Sequence, residues 1–549
     1  MLEKKYKWWA TGDVNAFFGL MLDNIAGLVL TVGMLSGIFG FPVDFALRYM
    51  IPGTALGVLV GDLLFFVLAF KLAKHENRSD VTAMPLGLDT PSTIGMVLFV
   101  LGPAFLAAKQ SGLDEHAAAL QTWHIGICAI VMTGLIKGVL ALGSDWIRRV
   151  FPRAGLLGSL AAIALVLIAF TQMPKLISSA MVGLPALAIV LVTLIGRGRL
   201  PFKTPGALGA VVIGCAIWYM LVSADAFLGT QMAKREAANS LVWFPLEWLS
   251  VLQFQWLSEF PKAVGYLPYI IPFAIATVIG GIDCTESAAS VGDNYKTSHV
   301  IGIEAFATLI AGFLGGVVQT TPYIGHPAYK AMGGRAAYTL ATAIFVGGAG
   351  VIGYFSLLFS IIPEAAVLPI LIFIGIEITA QSYHATPRRH YAALALACVP
   401  ALAKLIMIYL GSVVSSLPDD FELRPDLAEQ MLHLKVLAGG FIITSLIWAS
   451  ALAQIIDRKY FGASLYFAVG GMMVLFGFMH SPLDGDKMYW PWQLRDMEPA
   501  LRELIVSVAA AYGVMAGIMF AMGAMFARGM LTDGPPSTID RDEDFETIS

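Results

Sequence analysis

Long apolar runs alternate with short polar connections from residue 14 to residue 527. Many of these runs reach the roughly 20 residues that an α-helix needs to cross the hydrocarbon core of a membrane. The pattern therefore predicts an all-α polytopic membrane protein. Its sixteen predicted spans lie near residues 14–37, 50–73, 84–108, 122–143, 154–172, 175–196, 206–228, 263–291, 300–319, 321–335, 336–361, 364–381, 391–416, 433–456, 460–480 and 502–527.

The third and tenth spans are interrupted by prolines, glycines and polar residues. These residues are Pro85, Gly87, Asp89 and Pro91 in the third span, and Pro322, Gly325, His326 and Pro327 in the tenth. Proline removes a backbone donor and bars a continuous helix. Backbone freed in this way is tolerated at membrane depth only where protein or a water-filled cavity covers it. Two such segments in corresponding halves of a chain indicate a binding site between two repeats.

Connections rich in lysine and arginine alternate with connections that carry few of these residues. This alternation sets the predicted orientation. If the N-terminus is cytoplasmic, the cations fall on cytoplasmic connections, such as residues 71–78, 148–153, 197–203, 388–389 and 458–459. Cytoplasmic loops are enriched in these residues. We therefore expect the protein to lie in the inner (plasma) membrane of the cell, with both termini in the cytoplasm.

The first seven spans form one unit and the next seven form a second. Because seven is an odd number, the second unit begins on the opposite side of the membrane and is inverted relative to the first. The predicted parts are a first inverted repeat, an external linker with an interfacial helix, a second inverted repeat, an extra C-terminal hairpin and an acidic cytoplasmic tail. Their bounds are 1–228, 229–262, 263–457, 458–528 and 529–549.

Composition agrees with a membrane protein and excludes several other classes. Of the 549 residues, 58% are hydrophobic and 13% are charged, whereas a soluble domain carries about 25% charged residues. The mean hydropathy is +0.76. The four cysteines fall in apolar runs without metal-ligand spacing, and no P-loop or hydrolase motif is present. We expect no enzyme activity, no cofactor and no nucleic-acid partner.

Ionisable residues within spans are costly and are therefore functional candidates. Asp283 and Glu286 lie three residues apart in the eighth span, on one face of a helix. Two close carboxylates in a low dielectric cannot easily both ionise, so one of them can carry a proton. The alternative is that one is a buried structural acid and the other lies near a helix end. Asp62, Lys137 and Glu304 also lie within spans.

Several other polar residues leave functional and structural interpretations open. Asp23 and Asn24 in the first span, with Asp89 and Thr90 at the first interruption, could hydrogen-bond a polar solute. Asp89 could instead be the N-cap of the helix after it. His326 could bind the solute, shuttle a proton or satisfy freed backbone.

The second half of the chain resembles the nucleobase/ascorbate transporter family, nearest its bacterial adenine/guanine/hypoxanthine permease branch. The likeness is carried by the runs Glu304-Ala-Phe-Ala-Thr-Leu-Ile-Ala-Gly, Thr320-Thr-Pro-Tyr-Ile and Gly333-Gly-Arg. Met84-Pro-Leu-Gly-Leu-Asp-Thr is similar to the first broken helix of the family, and Asp283-Cys-Thr to the Asp-Thr-Thr motif of its eighth helix.

The resemblance implies two inverted seven-helix repeats arranged as core and gate domains, a homodimer, and uptake coupled to H⁺ or Na⁺. Asp283 would bind the base, with Tyr323, Gly325 and His326 at the second interruption. The chain departs from the family pattern here, because Gly325-His326 stands where the family has Glu-Ser.

We therefore expect a secondary active transporter of a small molecule, such as a purine or a xanthine- or urate-like base. The alternative within transport is an inorganic or small organic anion, such as sulfate or bicarbonate, carried on the same fold. A membrane receptor or scaffold that does not transport is the alternative from another class.

The orientation can be tested by labelling single introduced cysteines from outside the cell. Positions in 229–262 and 417–432 should react, because these connections are predicted to be external. Positions in 145–150 and 198–203 should react only after the membrane is permeabilised. The opposite labelling pattern would contradict the predicted orientation, and labelling of 198–203 and 229–262 from the same side would contradict the inverted repeat.

Overall fold

The computed structural model describes residues 6–143, 152–198, 200–201, 204, 206–228, 241–323, 325–414, 424–483 and 488–531. Within these ranges, ten helices are long and apolar enough to cross a membrane, and an eleventh candidate is a pair of helices bent by 68°. The prediction of a helical polytopic membrane protein is confirmed. Most of the predicted tail and residues 229–240 of the linker lie outside the described residues.

Each predicted span has a counterpart in the structure. Helices α1 to α7 are Gly12–Phe39, Val43–Glu76, Thr90–Gln110, Glu115–Leu142, Ala154–Ser178, Ala180–Ile195 and Gly206–Asp225. Helices α8 to α13 are Leu267–Ala289, Thr297–Phe313, His326–Ala331, Ala337–Ile352, Glu364–His384 and Arg388–Gly411. The bent pair α14 is Pro425–Ala438 with Phe441–Ile456, followed by α15, Tyr460–Leu475, and α16, Pro499–Ala527.

The chain forms two compact units that do not coincide with the predicted repeats. One unit is Met1–Ile147 with Gln172–Phe373, and the other is Arg148–Thr171 with Ile374–Ser549. Both interrupted segments belong to the first unit, as do α1, α2, α4, α8 and α9, which contact them. The predicted repeats therefore describe the order of the spans along the chain and not these two compact units.

The interrupted third and tenth spans each begin with a short strand, β1 (Leu86–Leu88) and β2 (Thr320–Pro322). The two strands pair antiparallel, with Leu86 opposite Pro322 and Leu88 opposite Thr320. Prolines prevent these segments from satisfying their backbone within a helix. Each strand instead supplies the backbone partners of the other, and both predicted interruptions are confirmed.

Side chains from helices satisfy the outer edge of β1. Asn24 on α1 is fully buried, and its Oδ1 accepts the N–H of Leu88 at 3.1 Å while its Nδ2 donates to the carbonyl of Leu86 at 3.4 Å. Asp62 on α2 accepts the N–H of Leu86 through Oδ1 at 3.2 Å. Asn24 therefore holds the strand in place, and its side-chain amide is engaged in hydrogen bonds to backbone groups.

Three other helices satisfy the outer edge of β2. Lys137 on α4 donates to the carbonyl of Thr320 at 2.8 Å, and Thr308 on α9 accepts the N–H of Thr320 at 3.3 Å. The thiol of Cys284 on α8 donates to the carbonyl of Pro322 at 3.3 Å. The ammonium of Lys137 also lies 2.6 Å from Glu304 Oε1, and neither side chain is exposed. This contact is a close ion pair without ideal hydrogen-bond alignment.

The described part of the linker is built from short helices, at Glu247–Gln253, Gln255–Glu259 and Phe260–Val264. Trp243, Phe244 and Phe254 are about half exposed, whereas Trp248 and Trp256 are buried. Aromatic side chains of this kind are typical of a membrane interface. The interfacial location of the linker stays a prediction.

The Lys137–Glu304 pair should contribute strongly to stability because neither charge has water as an alternative partner. Removing one member of a buried ion pair costs about 3–5 kcal/mol. We expect Lys137→Met to lower the melting temperature in detergent substantially, and the double variant with Glu304→Gln to recover part of the loss.

Lys175→Met is the matched control, because Lys175 and Glu364 form a pair that is about one-third exposed. Its effect should be small, since exposed pairs contribute about 0–1 kcal/mol. Equal losses for Lys137→Met and Lys175→Met would contradict this assignment.

Candidate functional site

The paired strands and the helices that follow them form the centre of the candidate site. Both α3 and α10 contact α1 and α8, so the beginnings of the two half-helices lie between the same two spans. Thr90 is the first residue of α3, and Asp89 caps it by accepting the N–H of Ser92 at 2.9 Å. Asp89 therefore has the structural role that the sequence left open, although its side chain remains half-buried and close to the site.

Asp23 lies against β1 from the α1 side. A Cβ atom placed on Gly87 would be 3.4 Å from Asp23 Oδ2, so the carboxylate is in contact with the strand backbone. Asp23 is half-buried and within electrostatic reach of Asp89. The two candidate acids therefore lie near one another at the beginning of α3, whereas Asn24 beside them is fully used by β1.

Three faces of α8 have different surroundings. One contacts β2, one contacts α9 and one is directed at open space. Cys284 contacts β2, and a Cβ atom on Gly281 would lie 2.8 Å from Glu304 Oε2. A Cβ atom on Gly280 would meet nothing within 4 Å. Asp283 is three residues further along on the same face as Gly280, and its side chain is half-buried. The predicted acid therefore shares a helix face with the open space in front of Gly280, and Glu286, also half-buried, lies beyond it.

His326 is directed away from this open face. Its ring is fully buried, and its Nε2 lies 3.1 Å from the carbonyl of Thr82 and 3.4 Å from Asp293 Oδ2. Both neighbours are acceptors, so we assign the proton of the neutral ring to Nε2. Of the three predicted roles for His326, the geometry matches the satisfaction of freed backbone, because the Thr82 carbonyl precedes β1.

Tyr323 and Gly325 depend on each other at the second interruption. Tyr323 donates its N–H to the carbonyl of Pro85 at 2.9 Å, and its side chain is 36% exposed. A Cβ atom on Gly325 would lie 2.4 Å from Tyr323 Cε1. The Tyr323 ring thus occupies the space that any side chain at 325 would need. The family's glutamate could not be introduced here without displacing that ring.

Asp293, which the sequence did not single out, joins the ends of both interrupted segments. The fully buried carboxylate lies 3.2 Å from Arg78 Nη2 and 2.6 Å from Lys330 Nζ, and it accepts the N–H of Thr82 at 3.1 Å. Burial alone would raise the pKa of Asp293, but the hydrogen bonds from His326, Lys330 and Thr82 hold it below its ordinary value. Its partners are distant in sequence, so no local spacing predicts the cluster.

Acidic side chains outnumber cationic ones around the strand pair. Asp23 contacts β1, Asp62 binds its outer edge, and Cys284 beside β2 lies within electrostatic reach of Asp89, Asp283 and Glu304. The cation found among these groups is Lys137, which pairs with Glu304. Uncompensated charge is expensive at this depth.

The orientation of α8 can be tested with two adjacent glycines. Gly281→Ala should lower the melting temperature, because the new methyl group would press on the Glu304 carboxylate and overpacking costs about 1–3 kcal/mol. Gly280→Ala is the matched control and should be neutral or stabilising, since alanine favours a helix over glycine by about 0.5–1 kcal/mol. The reverse order of melting temperatures would exclude this orientation.

Comparison with known proteins yields structural likeness only. No protein-family model matches the chain, and no curated protein matches it. It is similar to the transmembrane domain of a cyanobacterium bicarbonate transporter, BicA, with 15% identity over 74% of this chain and 97% of that chain, and a TM-score of 0.45.

Two further solved structures are similar at lower identity. For SLC26A9 the identity is 12% over 71% of this chain and 62% of that chain, with a TM-score of 0.43. For the murine Solute Carrier 26 family member A9 anion transporter in the inward-facing state it is 11% over 77% and 73%, with a TM-score of 0.41. At these TM-scores none of the three decides what this chain carries, so its function has to be argued from its own residues.

Proposed function

We propose that the protein is a secondary active transporter that moves a small anion together with a coupling cation, H⁺ or Na⁺. The observation that carries the proposal is the pairing of β1 with β2 between α1 and α8. Broken spans that meet in the interior of a membrane protein are costly to build. They are typical of the central binding site of transporters with repeats.

The beginning of α3 supports an anionic solute. With its continuation to Gln110, this helix has 21 residues, and its backbone dipoles place partial positive charge at Thr90. The first N–H groups of a helix have no partner within it. Asp89 accepts the N–H of Ser92 through its side chain and that of Thr93 through its carbonyl. Pro91 has no N–H, so a bound anion could accept from the N–H of Thr90 at this end.

The acidic side chains support a coupling cation. Half-buried acids near the place where a solute would be held are Asp283 on the open face of α8, Asp23 beside β1 and Asp89 at the beginning of α3. A cation or proton bound there would neutralise the acid and reduce its repulsion of the anion. Binding of the two solutes would thus be mutually favourable, and this is the requirement for symport.

A nucleobase is the second candidate, favoured by Asp283, which matches the family's base-binding position and shares a face with the open space at Gly280. Two features weigh against it. Gly325 offers no carboxylate to a ring edge, and His326 is committed to Thr82 and Asp293. The site therefore lacks the second acid that the resemblance would require.

The two solute classes can be separated by melting the purified protein with bicarbonate, sulfate, xanthine, urate or adenine, each with and without Na⁺ and at two pH values. A ligand that binds only the folded state raises the melting temperature. We expect an increase with one of the inorganic anions that grows when Na⁺ or protons are added. An increase with the bases alone would favour the second candidate, and no response to any solute would favour a receptor or scaffold.

Asp283→Asn tests the coupling role, since it keeps the shape and removes the charge. We expect a folded protein that no longer accumulates the solute against its gradient in liposomes. Loss of a hydrogen bond to a charged group costs about 1.5–3 kcal/mol, which is roughly a tenfold to hundredfold loss of affinity. Glu286→Gln, one turn further along α8, should have a milder effect. Accumulation at the wild-type level by Asp283→Asn would show that Asp283 is a structural acid.

A further inference from the structure

Asp62 is a buried acid in the middle of α2, and the proposed function assigns no role to it. Its side chain is fully buried, and its Oδ1 accepts the N–H of Leu86. No described residue hydrogen-bonds Oδ2, and no described cation pairs with the carboxylate. An ionised carboxylate with a single hydrogen bond in such a place would carry a large desolvation cost.

The second repeat contains a counterpart to Asp62 that is balanced. Glu304 on α9 lies beside β2 as Asp62 on α2 lies beside β1, and both are fully buried. Glu304 has the ammonium of Lys137 at 2.6 Å. A fixed positive charge thus accompanies the acid of one repeat, and the acid of the other repeat lacks one.

A proton fits the place of the missing charge better than a metal ion does. Na⁺, like Ca²⁺, is a hard cation, and hard cations are held by several oxygen ligands at once. Among the described residues, no group of three or more His, Cys, Asp or Glu side chains could hold a metal. Tyr329 and Tyr338 are the described titratable groups within electrostatic reach of Asp62. Its Oδ2 has no hydrogen-bond partner among the described residues, so a proton on this oxygen would remove the charge without any further ligand.

We propose that Asp62 is a proton-binding site, neutral with the proton on Oδ2 in this conformation, through which the proton gradient is coupled to transport. The inference rests on the proposed function and deepens it by identifying the coupling ion. Proton binding breaks no bond and needs no other reactant. Release of the proton would place a negative charge at the outer edge of β1, next to the strand whose Gly87 contacts Asp23.

The proposal can be tested without a solute by infrared spectroscopy of the full-length protein in lipid. A protonated carboxylic acid has a carbonyl stretch that is absent from a carboxylate. We expect the wild-type protein to show such a band, with an Asp62 contribution that decreases as the pH is raised. That contribution should be missing from Asp62→Asn, whose amide oxygen can still accept the N–H of Leu86.

Asp44→Asn is the matched control, because Asp44 is a half-exposed acid paired with Arg48, and its removal should leave the band unchanged. If Asp62→Asn does not fold, Asp62→Thr, which also retains an oxygen acceptor, replaces it. A band of the same intensity in the Asp62 variants and in the wild-type protein would overturn the proposal. A wild-type band that does not titrate would also overturn it, since Asp62 would then be a permanently neutral structural acid.

Solute binding is measured separately, by the melting experiments described above. Absence of any solute response with a titrating Asp62 band would refute the proposed transport and leave the proton site standing. A solute response without the band would do the opposite.

Discussion

The backbone hydrogen bonds of six residues in the middle of the membrane determine how the rest of this fold is built. Prolines prevent β1 and β2 from bonding within a helix, and lipid offers no replacement. Each strand therefore uses the other for its inner edge and helices for its outer edge. Asn24 and Asp62 serve β1, and Lys137 and Cys284 serve β2. The placement of α1, α2, α4 and α8 around the strands follows from this requirement.

The two repeats meet the same requirement with different chemistry. Each presents a buried acid beside its strand, Asp62 in the first and Glu304 in the second, but in the described part of the chain only Glu304 has a fixed cation within contact distance. A strictly symmetric protein would have two equivalent acids and no preference between them. If Asp62 exchanges a proton as proposed, one repeat uses its acid for structure and the other uses its acid for coupling.

The sequence predicted those features that arise from local chemistry. Proline and glycine spacing located both interruptions, and an N-cap at Asp89, which is observed, was one of the two roles that the sequence left open for this residue. The direction of His326 could not be predicted, because a short broken segment has no fixed period that would assign its side chains to a face. The Lys137–Glu304 pair joins the fourth and ninth spans. No pattern within either span indicates the other, so only the tertiary structure brings the two charges together.

The pairing of Leu86 with Pro322 has a consequence for synthesis in the cell. Six further spans are made between the two strands, and at about 5–20 residues per second this takes on the order of ten seconds or more. During that time the first interrupted segment is in or near the bilayer without its backbone partner. Asn24 and Asp62 are already present and can bind one edge of β1, but the other edge has to be shielded by water, by the insertion machinery or by a chaperone. The strand pair therefore cannot form until the tenth span has been made.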